Sequence, residues 1–360
     1  MGTWWRLAAF CWAAAPGAAQ TIPLCPGLTL AGVVSEPEGD YELLLTVASI
    51  DSSGVHLRLS AQVRSASSIR NVDVERTVRR SDLATASLLM NWFNPLGPRL
   101  IAGTTAFGAS TAVLRTLKQT GRAQLGIFDA GSSALPADRG SHPNVYDYAV
   151  MYTLHRVDST SARVPVIVND VPVELPVVRA RGENVGDKLE VVFLDDERNP
   201  LGLAFRLRSL GVARPTVTKV LKISFPCASQ DGIQPEESSL ERALLTSGRA
   251  EVYDIYFDFN SAGIRRLSAR TLDEIARLLA RHPEWKLAIE GHTDAVASER
   301  YNLELSRRRA LAIKQALTTE YHVAPERLTT AGFGEALPKD RNDTEEGRAR
   351  NRRVELVRLP

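Results

Sequence analysis

The residue types that could do chemistry concentrate in the last third of the chain. Within 299–321, Leu305, Arg309 and Ile313 recur at a spacing of four. On a helix they share one face, whereas Arg308 and Arg307 stand about 100° and 200° around it. Arg309 therefore sits on or beside a packing stripe, where a guanidinium is costly unless an anion meets it. Asp294, just after a short apolar run at 286–289, is the acid placed to do so. The spacing leaves two alternatives open. Either the pair is an internal salt bridge, or both groups face a ligand that carries both charges. In the second case the carboxylate takes an ammonium and the planar guanidinium takes a carboxylate in bidentate fashion. A free amino-acid head group has that pair of charges.

Other constellations carry less. His292 and Asp294 have the types of a metal pair, but the chain has six histidines and no third ligand stands nearby, so neither metal nor cofactor is expected. Gly103 and Gly108 have the spacing of a phosphate loop without its Lys and Ser/Thr. Asp195-Asp196-Glu197 before Asn199-Pro200 lacks the alternating ligands of a calcium loop and reads as a solvated turn. His155, Asp158 and Ser159 are catalytic types with no nucleophile elbow beside them. Arg348, Arg350, Arg352 and Arg353 form a local basic cluster, solvated or ligand-facing. With 44 basic against 42 acidic residues, net +2, the chain lacks the basic excess or stripe of a phosphate-neutralising binder, so no nucleic-acid partner is expected. No catalytic set emerges, and the chain reads as a non-enzyme.

The elements that must position these residues fall into two domains, as 360 residues at 44% hydrophobic and 24% charged content would allow. Residues 1–19 read as a secretory signal: Arg6, an apolar run from Leu7 to Ala15, and Gly17-Ala18-Ala19 before the cut. The run is shorter than the roughly 20 residues of a membrane-crossing helix. A lipoprotein reading through Cys11 fails on the bulk of Phe10. Of the three cysteines, the mature chain keeps Cys25 and Cys227, and an oxidising compartment makes a disulfide between them the economical expectation. A loop that long is worth on the order of 5 kcal/mol in the chain-entropy account.

Residues 20–228 read as mostly β, a sandwich or barrel-like domain. From 55 to 63 the apolar positions Val55, Leu57, Leu59, Ala61 and Val63 alternate with polar ones, and with 41–50 they make a hairpin across 51–54. A second hairpin at 164–175 reverses at Asn169-Asp170, with Pro165, Pro172 and Pro176 marking edge strands. Strands are also expected at 189–194, 203–207 and 217–225, and a helical insertion at 81–122 built from helices at 83–93 and 112–118. Low aromatic content (6%), the prolines and the insertion argue against a membrane barrel. A polar linker at 229–237 precedes residues 238–360, where strands alternate with helices. Here a short helix is expected at 238–245, strands at 253–259, 286–289, 328–333 and 353–358, a helix ending at Pro283 on the stripe Leu272, Ile275, Ala276 and Leu279, and a long helix at 299–321. The result is a β-α-β-α-β-β domain.

Five blocks in this second half carry a resemblance. Tyr256-Phe257-Asp258-Phe259-Asn260-Ser261-Ala262, Ile289-Glu290-Gly291-His292-Thr293-Asp294 and Tyr301-Asn302-Leu303-Glu304-Leu305-Ser306-Arg307-Arg308-Arg309-Ala310 are followed by Leu328-Thr329-Thr330-Ala331-Gly332-Phe333-Gly334-Glu335 and Gly347-Arg348-Ala349-Arg350-Asn351-Arg352-Arg353-Val354-Glu355. In this order they resemble the signatures of the OmpA-like C-terminal domain, and the resemblance covers residues 238–360 only. It implies non-covalent binding of peptidoglycan, with Asp294 and Arg309 gripping the diaminopimelate head group of the stem peptide and Thr293, Asn302 and Arg352 lining the pocket. One departure stands out: Ala297 occupies a place where that family usually has Gly. If the place needs positive φ, Ala costs about 1 kcal/mol there; otherwise the loop takes another path.

The expectation is therefore an exported, periplasmic, non-enzymatic protein. It is associated with the wall, and with the outer membrane, of a Gram-negative bacterium. Its β-domain would face the outer membrane or a further envelope protein. The alternative is that the first domain is an enzyme or small-molecule binder that the second merely localises.

Overall fold

A computed structural model describes residues 21–36, 39–64, 69–92, 99–129, 149–158, 162–209, 211–212, 214–227, 239–258 and 261–360. The expected signal at 1–19 and linker at 229–237 lie outside these residues, as do Phe93, Ser159, Phe259 and Asn260. Among the described residues no helix is long and apolar enough to cross a membrane.

The first half is mostly β. β1 (Thr29–Glu36), β2 (Gly39–Ile50), β3 (Val55–Arg64) and β4 (Ile69–Val78) form an antiparallel meander. α1 (Arg80–Thr85), β5 (Leu88–Trp92), β6 (Thr104–Thr105), α2 (Thr111–Thr120) and β7 (Arg122–Asp129) follow. Then come β8 (Ala149–Arg156), β9 (Ala162–Val168), β10 (Val171–Asn184), β11 (Asp187–Leu194), β12 (Gly202–Arg208) and β13 (Thr216–Ser224). The strand order is β4-β3-β2-β1-β13-β12-β11-β10-β8-β7-β5-β6, and β9 pairs with both β10 and β13.

Where the sequence alternates, the strands lie as expected. Val55, Leu57, Leu59 and Ala61 are buried on one face of β3, and the Asp51 carboxylate closes the turn before it by accepting from Ser53 N at 2.8 Å. Asn169 and Asp170 take left-handed φ of 46° and 63° between β9 and β10. β10 is not an edge strand along its whole length, because from Val177 onward it pairs with β11. Pro172 and Pro176 lie before that point, opposite β9 only, and Pro165 lies where β9 has not yet met β13. Each proline thus occupies a stretch with a single partner, where its missing N–H costs no ladder bond.

The helix expected at 83–93 is corrected. α1 ends at Thr85, and Leu88–Trp92 is a strand parallel to β7, with α2 in the crossover between them. Leu88, Leu89 and Met90 are all buried. A strand covered on both faces is a continuous apolar run, which periodicity cannot separate from a helix. The helix expected at 112–118 is present as α2, capped by Ser110 Oγ accepting from Val113 N and ended at Gly121 (φ 73°). Cys25 and Cys227 are disulfide-bonded, with Cα atoms 6.5 Å apart, against the core of this half.

The second half is an α/β domain. It runs α3 (Ser239–Thr246), β14 (Arg249–Val252), α4 (Ala269–Arg281), β15 (Lys286–His292), α5 (Glu299–Thr319), β16 (Leu328–Gly334), α6 (Glu345–Asn351) and β17 (Val354–Leu359). Its sheet order is β14-β17-β15-β16, with β15 and β16 parallel. Leu272, Ile275 and Leu279 of α4 and Ala310 and Ile313 of α5 fill its core. The strand expected at 253–259 is corrected to Arg249–Val252. Tyr253, Asp254, Ile255 and Tyr256 are all buried, and three of their backbone donors are spent on side chains. Tyr253 N and Asp254 N donate to Asp170 Oδ1, and Tyr256 N donates to Ser268 Oγ.

Those bonds to Asp170 belong to a contact between the halves. Ala31 and Leu44 pack on Tyr256, Val33 and Leu221 pack on Ala349, and Lys219 pairs with Glu346. The faces of β1, β2 and β13 turned away from the β core are therefore covered by the second half.

Candidate functional site

α5 lies flush on the ends of β15 and β16. A Cβ on Gly291 would stand 2.4 Å from Ser306 O, and one on Gly332 would stand 2.4 Å from Arg307 N. Ser306 Oγ accepts from Gly334 N at 2.9 Å, locking helix to strand. β15 then delivers Thr293 and Asp294 into a loop at the start of α5, where Ser298 Oγ accepts from Tyr301 N.

Asp294, little exposed, pairs through Oδ2 with Arg352 Nη1 at 2.7 Å. The internal salt bridge considered from spacing is thus made with Arg352 and not with Arg309. Arg309 is held otherwise. Its Nε donates to Ser261 O at 3.1 Å, and its guanidinium stands 4.8 Å from the Phe257 ring centroid, a cation–π contact. Burial pushes its pKa down, and the Glu42 carboxylate opposes that fall. Thr293 is buried, its N–H bonded to Gly334 O, with Oγ1 lacking a hydrogen-bond partner among the described residues. Asn302 is spent on the loop itself. Its Nδ2 donates to Asp294 O at 3.0 Å, Ala297 O at 3.2 Å and Glu335 Oε2 at 2.5 Å. Ala297 is not among the residues with positive φ, so the loop takes a path that Ala follows without backbone strain.

Asp294, Arg309 and Arg352 thus form one electrostatic group, with Thr293 and Asn302 beneath it. What sequence reasoning missed is the contribution of the first half. Glu42 Oε1 on β2 lies 3.2 Å from Arg352 Nε. Burial works to raise its pKa, but Arg352, Lys222, Arg309 and Arg265 together hold it below the usual carboxylate value. A lone acid in the apolar run Tyr41-Glu42-Leu43-Leu44-Leu45 is the one signal the sequence offers for it.

The remaining candidates resolve into ion pairs. Arg348 pairs with Glu345, Arg350 with Asp340 and Arg353 with Glu355, so the basic cluster is internally neutralised. Asp195 pairs with Lys118, Glu197 with Arg115 and Asp158 with Arg179. Glu290, His292 and Glu355 bring ligand atoms within 4.8 Å of one another, the spacing of a metal set. Both carboxylates already face cations: Arg249 reaches Glu290 at 2.5 Å and Glu355 at 2.9 Å, and Arg353 reaches Glu355 at 2.6 Å. His292 instead stacks on Phe333, centroids 5.4 Å apart.

Residues 256–352 match the model of the OmpA family. The chain is 40% identical over 102 residues to outer membrane porin F of Pseudomonas aeruginosa, covering 28% of this chain and 29% of that protein. It is 32% identical over 103 residues to the peptidoglycan-associated lipoprotein of Buchnera aphidicola, covering 29% of this chain and 59% of that one. Among solved structures it resembles the peptidoglycan-associated lipoprotein from Burkholderia pseudomallei at 31% identity, covering 29% of this chain and 88% of that chain, with a TM-score of 0.27. The chain spans less than two thirds of either curated relative, and the family match lies in the second half.

Proposed function

We propose, from the premise that residues 256–352 are a domain of the OmpA family, that this chain holds peptidoglycan non-covalently by the diaminopimelate head group of the stem peptide. In this reading Arg309 takes the ligand carboxylate, Asp294 takes its ammonium, and Arg352 and Thr293 flank them. Asn302 shapes the loop. The observation that carries it is at Arg309: its guanidinium is held by Ser261 O and the Phe257 ring and, among the described residues, has no carboxylate at ion-pair distance, while Asp294 beside it pairs with Arg352. One relative is by name peptidoglycan-associated, which supports a wall ligand over other amino acids. The chain is read as an exported periplasmic protein of a Gram-negative envelope: a signal at 1–19, a β-domain at 20–228, a linker at 229–237 and the wall-binding domain at 238–360. The β-domain is then tethered at the wall, facing the outer membrane or an envelope partner. Its apolar cavity, lined by Leu30, Leu45, Leu59, Met90, Phe107 and Phe205, suits an apolar group better than reaction chemistry.

Co-sedimentation of the full chain with purified, insoluble peptidoglycan tests this. The wild type is expected in the pellet. Asp294→Ala and Arg309→Glu are each expected to lower retention by about tenfold or more, the scale of one lost charge-assisted contact. Retention that both variants leave unchanged refutes the site.

A further inference from the structure

We infer that the first half carries a built-in competitor for this site: Glu42 occupies the anion position beside Arg352 and Arg309, so docking of the first half and binding of the wall oppose each other. The inference rests on the ligand reading above and adds regulation to it. Glu42 and Leu44 are two apart on β2 and share a face, and Leu44 packs on Tyr256 of the second half. That face delivers the carboxylate to Arg352 Nε at 3.2 Å, while Asp294 holds Nη1 of the same guanidinium at 2.7 Å. Arg352 is thus bracketed by one acid from each half. The other cations around Glu42 are Lys222 from β13 and Arg309 and Arg265 from the second half. The Glu42 charge also opposes the fall that burial imposes on the Arg309 pKa.

The Glu42 side chain retains 52% of its surface. Its carboxylate is therefore open to solvent while it pairs with Arg352. An arriving carboxylate needs the guanidinium field that Glu42 already fills, and two carboxylates sharing it repel each other. The ligand therefore gains affinity when Glu42 leaves. By linkage, bound ligand loosens the contact between the halves by the same factor. Asp170 beneath Tyr253, Lys222 donating to Tyr253 O at 3.1 Å and the Lys219–Glu346 pair are the contacts that hold Glu42 in place.

The test uses the full chain as wild type, Glu42→Gln and Glu42→Ala, titrated with a soluble muropeptide carrying a diaminopimelate stem. Both variants are expected to bind roughly three- to tenfold tighter than wild type. Adding Asp294→Ala to either is expected to remove the binding. In the wild type, ligand should speed amide hydrogen exchange at 41–46 and 253–256. Wild-type binding that both variants leave equal or weaken overturns the competitor and leaves the ligand reading standing. Slower exchange at those segments on binding does the same. No binding by wild type or variants refutes the ligand reading, and this inference with it.

Discussion

His292 shows how far the fold moves a single residue's chemistry. By sequence alone it is half of a possible metal pair; in the structure it is buried against Phe333, and burial, with Arg353 beside it, pushes its pKa down to about 4. The unfolded chain takes up that proton near 6.5, so the native state gives up stability as pH falls from about 6.5 through about 4 and keeps all of it above that window. At about 1.4 kcal/mol for each tenfold change in proton affinity, the loss is on the order of 3 kcal/mol. Thermal melts of the full chain should fall across that window. His292→Gln, which cannot take a proton, should flatten the fall; an unchanged slope refutes the assignment. At this scale the sequence picks out Asp294 and Arg309 because helical spacing is enough to find a charge on a packing face. It marks Glu42 only as a lone acid in an apolar run and cannot pair it with Arg352 of the other half, nor show that Asn302 spends its amide on the loop.

Elements are legible where one face meets water and the other meets a core. β3 and α4 carry that contrast in their residues and lie where periodicity puts them, and β9 follows from the Asn169-Asp170 reversal after it. β1 carries none, because Leu30 faces the β core while Ala31 and Val33 face the second half, so both of its faces are apolar. Residues 253–256 mislead for a related reason. Their alternation of apolar and polar types with the residues that follow imitates a strand, yet Asp254 is buried as well and the backbone is bonded to side chains. The placement of α5 on β15 rests on a feature that sequence shows only as a glycine. Gly291→Ala would press a Cβ into Ser306 O at 2.4 Å, and backbone on both sides leaves nothing flexible to give way. Overpacking of this kind costs about 1–3 kcal/mol. Since α5 carries Arg309, the variant should lose wall retention along with thermal stability. A Gly291→Ala protein with wild-type melting temperature contradicts the close approach.

Across the whole molecule the halves meet on an acid pair, Asp254 buried and Asp170 partly so, that neither sequence half reveals alone. Asp170, at the β9–β10 turn, accepts from Tyr253 N and Asp254 N. The Asp254 carboxylate in turn accepts from Tyr256 O–H at 2.9 Å. Burial pushes the pKa of both acids up. The Asp254 charge adds to the rise at Asp170, Glu274 adds to it at both, and Lys222 only partly offsets this. An acid whose pKa is raised on folding stabilises the native state fully below its ordinary value of 3.8 and loses that contribution as pH climbs through the raised value. The contact should therefore be firmest in acid and strained at neutral pH, opposite in sign to His292. Asp170→Asn separates the two effects. It keeps the Oδ1 acceptor for both N–H groups, removes the charge, and suits φ of 63°, since Asn tolerates the left-handed region. At neutral pH it should stabilise the full chain by on the order of 1 kcal/mol, a rise of roughly 2–4 °C in melting temperature. The gain should vanish as the pH is lowered toward the ordinary carboxylate range, where the aspartate is itself neutral. It should also tighten the seat of Glu42 and so weaken muropeptide binding. A variant that melts no higher than wild type at neutral pH, or binds muropeptide more tightly, breaks the link between the acid pair and the closed site.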